Sequence, residues 1–338
     1  NRLGILVTGD EACLRDCDVI VDAVLGIGIK GEVDLTVVDS INAAKAYVVS
    51  VDIPTGICSD RGIVCKKAVR ADATVTFGCK KTGLVLHPGA AYAGEVSICN
   101  ASIQSSGSSG CYEPQKSDLA AIMPQLPSDA NKSTRGRVLV LAGAPGMTGA
   151  AAMVCRSALR CGSGLVTLGI PKDLNAIMEV KLTEAMTLPL DCEGQITLQA
   201  VKNVFEKISG ADCVVIGPGL GRNPEVLPII QLLAENNLPL IVDADGINAL
   251  AANIDSIKEH SAPVILTPHP GEFARLCGRT IPEVQENRLK MAREFAERHD
   301  VVLVLKGAGT VITAPDGRCF INPTGNPGMA VGGSGDVL

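Results

Sequence analysis

The chain reads as an α/β protein of two domains, each built on a parallel sheet. Three observations predict this. Its 338 residues amount to about two domains at roughly 150 residues each, with ample length for a core in both. Apolar residues make up 46% of the chain and charged ones 20%, with 36 Gly and 19 Pro, a globular composition. Short β-branched runs alternate with segments of helical spacing, which is the βαβ pattern of a parallel sheet.

In order along the chain, residues 17–22, 47–52 and 73–77 read as strands, with 35–44 as the helix between the first two. Residues 100–110 (Asn-Ala-Ser-Ile-Gln-Ser-Ser-Gly-Ser-Ser-Gly) are small, polar and flexible and read as a linker. The boundary is expected near Ser108, giving residues 1–107 as the first domain, 108–130 as a connecting segment and 131–338 as the second domain. The alternation then resumes with a strand at 138–142, a small-residue helix at about 149–161, and strands at 213–216, 240–243, 263–266 and 301–305.

Composition excludes several functions. Trp is absent and aromatics are 2% of the chain, so stacking platforms for single-stranded nucleic acid are lacking, and a net charge of −6 disfavours a phosphate-backbone binder. No apolar run approaches the ~20 residues that span a bilayer, and Asn1-Arg2-Leu3-Gly4 does not open a secretory signal. The expectation is a cytoplasmic protein with small-molecule partners, no nucleic acid and no membrane, with homo-oligomerisation left open. The 13 Cys include no Cys-x-x-Cys pair and read as reduced, semi-buried small apolar residues. The chain lacks an initiator Met and stops at Gly335-Asp336-Val337-Leu338 as an apolar stretch opens, so it is expected to be an internal piece of a longer protein.

In open α/β sheets, ligands gather where strand C-termini meet loops and helix N-termini, because free N–H groups and the helix dipole favour anions there. Asp22-Ala23-Val24-Leu25-Gly26-Ile27-Gly28-Ile29-Lys30-Gly31 follows the first strand. It suits a phosphate-bearing ligand or, equally, a Gly-rich turn with a capping Asp. Asp52 precedes Ile53-Pro54-Thr55-Gly56, which predicts an extended bend. Its carboxylate reads as a cap or as an acid/base.

In the second domain, the loops at 143–151 and 217–221 each follow a strand and open a helix, and no Gly-Lys-Ser/Thr follows either, so a Walker P-loop is excluded. His269, between two prolines, reads as a substrate contact or as a structural hydrogen-bonding group. Lys306-Gly307-Ala308-Gly309-Thr310 reads as an anion-binding loop or as a hairpin turn into residues 310–313. Thr324 to Asp336 ends in Gly332-Gly333-Ser334-Gly335-Asp336. Glycine N–H donors before an Asp suit phosphoryl transfer, with the carboxylate taking a proton from the attacking hydroxyl.

The Gly-Gly-Ser-Gly-Asp segment resembles the anion hole and catalytic Asp of the ribokinase-like superfamily. Together with the loops at 143–151 and 217–221, Asp243-Ala244-Asp245-Gly246, residues 268–272 and residues 306–310, it resembles the ADP/ATP-dependent NAD(P)H-hydrate dehydratase family. Asp22-Ala23 with its glycines and Val51-Asp52-Ile53-Pro54-Thr55-Gly56 resemble the NAD(P)H-hydrate epimerase domain. The two are commonly fused in this order in bacteria. The resemblance implies the C-terminal part of a Rossmann-like, three-layer epimerase domain followed by a C-terminally truncated ribokinase-like α/β domain.

The resemblance further implies a potassium ion held by Asp22 and Thr55, and contacts to the hydrated nucleotide (NADHX or NADPHX) from Gly26, Ile27, Gly28, Ile29, Lys30, Gly31, Glu32 and Asp52. In the dehydratase half it implies hydrate contacts from Ala151, Gly221, His269 and Asp336. Adenine-nucleotide contacts are implied for Lys306, Gly307, Ala308, Gly309, Thr310 and Gly335, with magnesium and with ADP or ATP as co-substrate. Asp336 is the catalytic residue the resemblance implies, and Asp52 is the candidate acid/base of the epimerase half. Two departures stand out: Asn131-Lys132 replaces the family's His-Lys pair, and the family's Asn- and Gly-rich substrate loop is not found in the chain. A small-alcohol kinase and a non-catalytic nucleotide-binding module are the rival readings.

Overall fold

The computed structural model describes residues 7–29, 31–103 and 110–338. The chain divides into two compact units, Asn1–Cys111 and Tyr112–Leu338; the boundary expected near Ser108 lies outside the described residues.

In the first unit β1 (Val19–Asp22), α1 (Thr36–Ala43), β2 (Tyr47–Val51), β3 (Ala73–Phe77) and β4 (Glu95–Cys99) follow in order. The four strands form a parallel sheet in the order β1-β2-β3-β4. Alternation puts Ile20 and Asp22 of β1 inward. Ile20 and Val48 pack with Val38 and Ile41 of α1 and with Val69. The apolar face of α1 is buried against the sheet in this way. Ile53, Ile57, Ala68, Leu84 and Ala93 make a second small core under the loops after β2.

β5 (Cys111–Tyr112) straddles the division and α2 (Lys116–Ile122) follows it, so the expected connecting segment has regular structure of its own. There follow β6 (Arg137–Leu141), α3 (Thr148–Arg160), β7 (Leu165–Pro171), α4 (Lys172–Lys181), β8 (Met186–Leu190), α5 (Leu198–Asn203), α6 (Phe205–Ile208), β9 (Cys213–Ile216) and α7 (Val226–Glu235). Then come β10 (Leu240–Val242), α8 (Asp245–Leu250), β11 (Val264–Leu266), α9 (Pro270–Cys277), α10 (Ile281–Glu286), α11 (Arg288–His299), β12 (Val302–Leu305), β13 (Thr310–Thr313), β14 (Cys319–Asn322) and α12 (Ser334–Val337).

Ten strands make one sheet in the order β5-β14-β13-β12-β11-β10-β9-β6-β7-β8. From β8 across to β12 every pairing is parallel. The C-terminal ends of β6, β9, β10, β11 and β12 therefore share one edge of the sheet. β12, β13 and β14 are antiparallel neighbours, so residues 306–309 are a hairpin turn as well as a strand-end loop. Alanines 151 and 152 of α3 lie in the core with Val140, Leu168 and Ile170, and their small size lets the helix lie close to the sheet.

Every expected strand forms, with ends shifted by at most two residues. The cysteines depart from expectation. They are not uniformly semi-buried: Cys13, Cys17, Cys79, Cys99 and Cys161 are exposed while Cys155, Cys192 and Cys319 are buried. The exposed ones sit in turns and at element ends, where no second layer covers them. No helix of the described residues is long and apolar enough to cross a membrane.

Candidate active sites

In the first unit Asp22 ends β1 with its carboxylate buried. Oδ1 accepts the Thr55 hydroxyl at 2.7 Å, and Oδ2 accepts the Thr55 backbone N–H at 2.9 Å and the Ser50 hydroxyl at 2.8 Å. Thr55 Oγ1 in turn accepts the Leu25 N–H at 2.9 Å. Among the described residues no cation pairs with Asp22. The buried Asp22 carboxylate and the Thr55 hydroxyl are oxygen groups of the kind a hard monovalent cation prefers as ligands.

Asp52 leaves β2 with φ of +69°, in the left-handed region and not in the extended conformation expected before Ile-Pro. The turn aims its side chain at β3: Oδ1 accepts Lys81 Nζ at 2.5 Å and Thr76 Oγ1 and Phe77 N–H at 3.2 Å each. Burial pushes the carboxyl up, but the Lys81 ammonium, the Phe77 N–H and Thr76 together hold it below the usual carboxylate range. Asp52 is therefore ionised and paired, and it caps no helix.

Gly26, Ile27, Gly28, Gly31 and Glu32 are exposed and Ile29 is half-buried. Lys30 lies outside the described residues. Gly28 and Gly31 have φ near +90° with open space where a Cβ would stand, so the turn needs glycine for its backbone and leaves room for a ligand. Ile29, Gly31 and Glu32 line a cavity of about 660 Å³ with Arg61, Cys65 and Lys66.

In the second unit the loops after β6 and β9 touch: Gly143 N–H donates to Pro218 O at 2.9 Å. Ala151 is fully buried and packs against Gly143, so its methyl supports this loop from below. Gly221 is fixed by Asp245 Oδ2, which accepts its N–H at 2.8 Å. The helix expected directly after 217–221 begins later, at Val226.

His269 is the N-cap of α9. Its Nδ1 accepts the N–H groups of Gly271 and Glu272 at 3.0 and 3.2 Å, and the Glu272 carboxylate accepts the His269 N–H at 2.7 Å in return. Nδ1 is thus an acceptor, which places the ring proton on Nε2. Burial, with Lys306 and Arg275 nearby, lowers the His269 pKa and keeps the ring neutral. Burial also raises the carboxyl of Glu272. The ring is half exposed, with Nε2 3.4 Å from Glu272 Oε1, so His269 is held structurally while its edge still faces solvent.

Lys306 follows β12 and donates Nζ to Asp243 Oδ1 at 2.8 Å; its N–H meets Pro268 O at 2.9 Å. Gly307 and Gly309 have φ of +144° and +65°, and the Thr310 hydroxyl donates to Gly307 O at 2.9 Å. The 305–308 backbone is held from beneath by Arg288, which is 5% exposed. Its guanidinium donates to the carbonyls of Ala308, Leu305 and Lys306 at 2.9, 3.3 and 3.3 Å.

Asp336 lies in the first turn of α12, whose cap is Gly333, so Asp336 itself is free of a capping role. The N–H groups of Gly332 and Gly333 have no acceptor among the described residues. Burial, with the carboxylates of Asp243 and Asp245 nearby and Lys306 opposing, raises the Asp336 carboxyl above its ordinary value.

The structure thus gathers Gly221, His269, Lys306 to Thr310, Gly335 and Asp336 at the C-terminal edge of one sheet. Asp243, Thr267, Asp245, Glu272 and Arg288 complete the surroundings without having been assigned roles from sequence. Asp243 follows a strand and was within reach of the strand-end rule; Arg288 sits in a helix with no local signal. A cavity of about 640 Å³ among α9, α10 and α11 contains none of these residues.

A profile of the family described as NAD(P)H-hydrate dehydratase matches residues 138–338, and one described as YjeF-related protein N-terminus matches residues 4–83. The bifunctional NAD(P)H-hydrate repair enzyme of Moorella thermoacetica is 40% identical over 338 aligned positions, covering 97% of this chain and 64% of the relative. Its Escherichia coli counterpart is 34% identical, covering 95% of this chain and 61% of the relative. The chain therefore spans somewhat under two thirds of these relatives' length. Among solved structures, the ADP/ATP-dependent NAD(P)H-hydrate dehydratase of Bacillus subtilis, co-crystallized with ATP/Mg2+, superposes with a TM-score of 0.56 at 33% identity, covering 66% of this chain and 76% of that one. A ribokinase-like superfamily protein of Enterococcus faecalis superposes with a TM-score of 0.58 at 27% identity, covering 70% and 79%.

Proposed function

Because the chain belongs to the NAD(P)H-hydrate dehydratase family, we propose that its second unit dehydrates the S form of hydrated NADH or NADPH at the expense of ADP or ATP. The first unit, on this reading, interconverts the R and S hydrates so that both are repaired. The observation that carries the proposal is the meeting of Asp336, the unpaired N–H groups of Gly332 and Gly333, and the Lys306 ammonium at one sheet edge.

Hydroxide leaves a hydrated nicotinamide ring poorly, and phosphate leaves well. Asp336 orients the ring hydroxyl and takes its proton as the oxygen attacks the terminal phosphorus of the nucleotide. AMP leaves from ADP, or ADP from ATP. The glycine N–H groups and Lys306 stabilise the charge on the transferred phosphoryl group. The ring nitrogen pair then expels phosphate, and loss of a proton from the neighbouring ring carbon restores the reduced nicotinamide. A raised carboxyl suits Asp336 to this task, because a stronger base takes the proton more readily.

Magnesium, carried on the nucleotide phosphates, would offset their charge. In the first unit Asp22 and Thr55 would hold potassium, which would balance the buried carboxylate. Asp52 is the proposed acid/base of that unit.

The test supplies mixed hydrates with ADP or ATP and follows the reduced-nicotinamide absorbance together with inorganic phosphate. Stoichiometric recovery of both supports dehydration; a phosphorylated product that accumulates instead would make the enzyme a kinase.

A further inference from the structure

Asp243 is 6% exposed at the end of β10. Its Oδ1 accepts the Thr267 hydroxyl at 2.7 Å and Lys306 Nζ at 2.8 Å. The backbone is arranged around it at some cost. Ala244 has φ of +50° and ψ of −114°, a conformation that side chains rarely adopt. A Cβ on Gly217 would stand 1.9 Å from the Asp243 carbonyl oxygen. Strain of this kind persists where the surroundings over-determine it, and it gathers at functional sites.

Lys306 is fixed from several sides. Its N–H donates to Pro268 O at 2.9 Å, and its carbonyl accepts from Arg288 at 3.3 Å. Of the three N–H groups on its ammonium, one is used by Asp243, and the other two have no acceptor among the described residues. A Cβ on Gly335 would lie 3.4 Å from Nζ, so the ammonium rests against the residue before Asp336. An untethered lysine samples many rotamers, and a buried carboxylate at its tip removes that freedom.

We propose that Asp243 is a positioning residue: with Thr267 it fixes the Lys306 ammonium beside Asp336, leaving two N–H groups to receive a phosphoryl oxygen of the adenine nucleotide. The proposal rests on the dehydratase reading and adds to it how the cation is held. The same arrangement sets the charge around Asp336, which faces the carboxylates of Asp243 and Asp245 and the ammonium of Lys306. His269, Glu272 and Arg275 lie in the surrounding layer. Removing the Asp243 charge takes away a repulsion, so the Asp336 carboxyl falls. Removing the Lys306 charge leaves the two repulsions unopposed, so it rises.

The experiment compares wild type with Asp243→Asn and Lys306→Met. It reads the pH profile of nucleotide-dependent dehydration, the ADP dissociation constant by calorimetry, and the Asp336 titration by carbon-13 NMR of labelled aspartate, assigned with Asp336→Asn. Asp243→Asn is expected to move the Asp336 titration and the acid limb down by about 1 pH unit and to weaken ADP about tenfold. Lys306→Met is expected to move the titration up. Opposite shifts cannot arise from a general loosening of the fold.

Should Asp243→Asn fail to fold, Thr267→Val removes one hydrogen bond without stranding a charge. It is expected to weaken ADP several-fold, with Thr267→Ser close to wild type. Unchanged ADP affinity and an unmoved Asp336 titration in Asp243→Asn, or shifts of the same sign in both charge variants, overturn the proposal. Failure of wild type to bind ADP also overturns it. If wild type binds ADP and shows the expected titrations yet dehydrates no hydrate, the dehydratase reading falls and the positioning role stands.

Discussion

Thr55 grips Asp22 twice, through its hydroxyl on Oδ1 at 2.7 Å and through its backbone N–H on Oδ2 at 2.9 Å. The pair joins the end of β1 to the loop after β2, with Ser50 as a third donor. Both oxygens of this buried carboxyl accept hydrogen bonds, and among the described residues no cationic side chain pairs with it.

Potassium is therefore expected to stabilise the protein through this pair. Thr55→Val should cost about 1–3 kcal/mol in urea unfolding, because a buried carboxylate oxygen loses its donor. The same variant should lose the potassium-dependent rise in Tm, and Thr55→Ser should keep both. An equal potassium effect in wild type and Thr55→Val contradicts the site.

Lys81 sets the charge state of Asp52. The folded carboxyl lies below its ordinary value, so the stability this pair contributes is present above the ordinary carboxylate range and is lost as pH falls through the lowered folded value. In Lys81→Met the carboxyl should rise, moving the acid limb of hydrate epimerisation up by about 1 pH unit. Asp52→Ala should leave the R hydrate unconverted. A limb that stays in place in Lys81→Met, or full conversion of the R hydrate by Asp52→Ala, argues against the acid/base role.

Arg288 holds three carbonyls of the loop that carries Lys306. Burial lowers its pKa, and its partners are all neutral oxygens. Arg288→Met should cost about 2–4 kcal/mol by urea unfolding, since several buried acceptors lose their donor together. Arg288→Lys should recover little, because a point charge cannot reproduce the planar fork. A loss below about 0.5 kcal/mol in Arg288→Met would show that the loop is held by other means.

Gly217 has φ of +127° and leaves no room for a Cβ beside the Asp243 carbonyl. Gly217→Ala should lower stability by about 2–4 kcal/mol and weaken adenine-nucleotide binding, as the strand end carrying Asp243 is displaced. Thermal unfolding with and without ADP reads both effects.

Much of this was legible in the sequence. The β-branched runs gave β2, β3, β6 and β9 to β12, which lie inside their sheets and are largely apolar, and also β1, whose Val19-Ile20-Val21 carries the same signal at a sheet edge. β4, with Glu95 and mostly exposed side chains, and β8, with Pro189, sit at sheet edges and carry no such signal. At the sites, strand-end glycines and carboxylates pointed to Asp22, Asp52, Lys306 and Asp336. Lys81 and Arg288 escaped notice because each reaches its partner across the fold, 29 residues away in one case and 17–20 in the other. The left-handed turn at Asp52 escaped for another reason: Ile53-Pro54 restricts the residue beside the proline and says little about the one before it.

Asp336 is the residue on which dehydration turns. Wild type and Asp336→Asn are incubated with the S hydrate and ADP or ATP, and the reduced-nicotinamide absorbance is followed while calorimetry confirms that ADP still binds. Wild type should restore the absorbance, along an acid limb above the ordinary carboxylate range, and Asp336→Asn should be slower by about 10²–10⁴-fold with nucleotide binding retained. Turnover by Asp336→Asn within a few-fold of wild type would contradict the account.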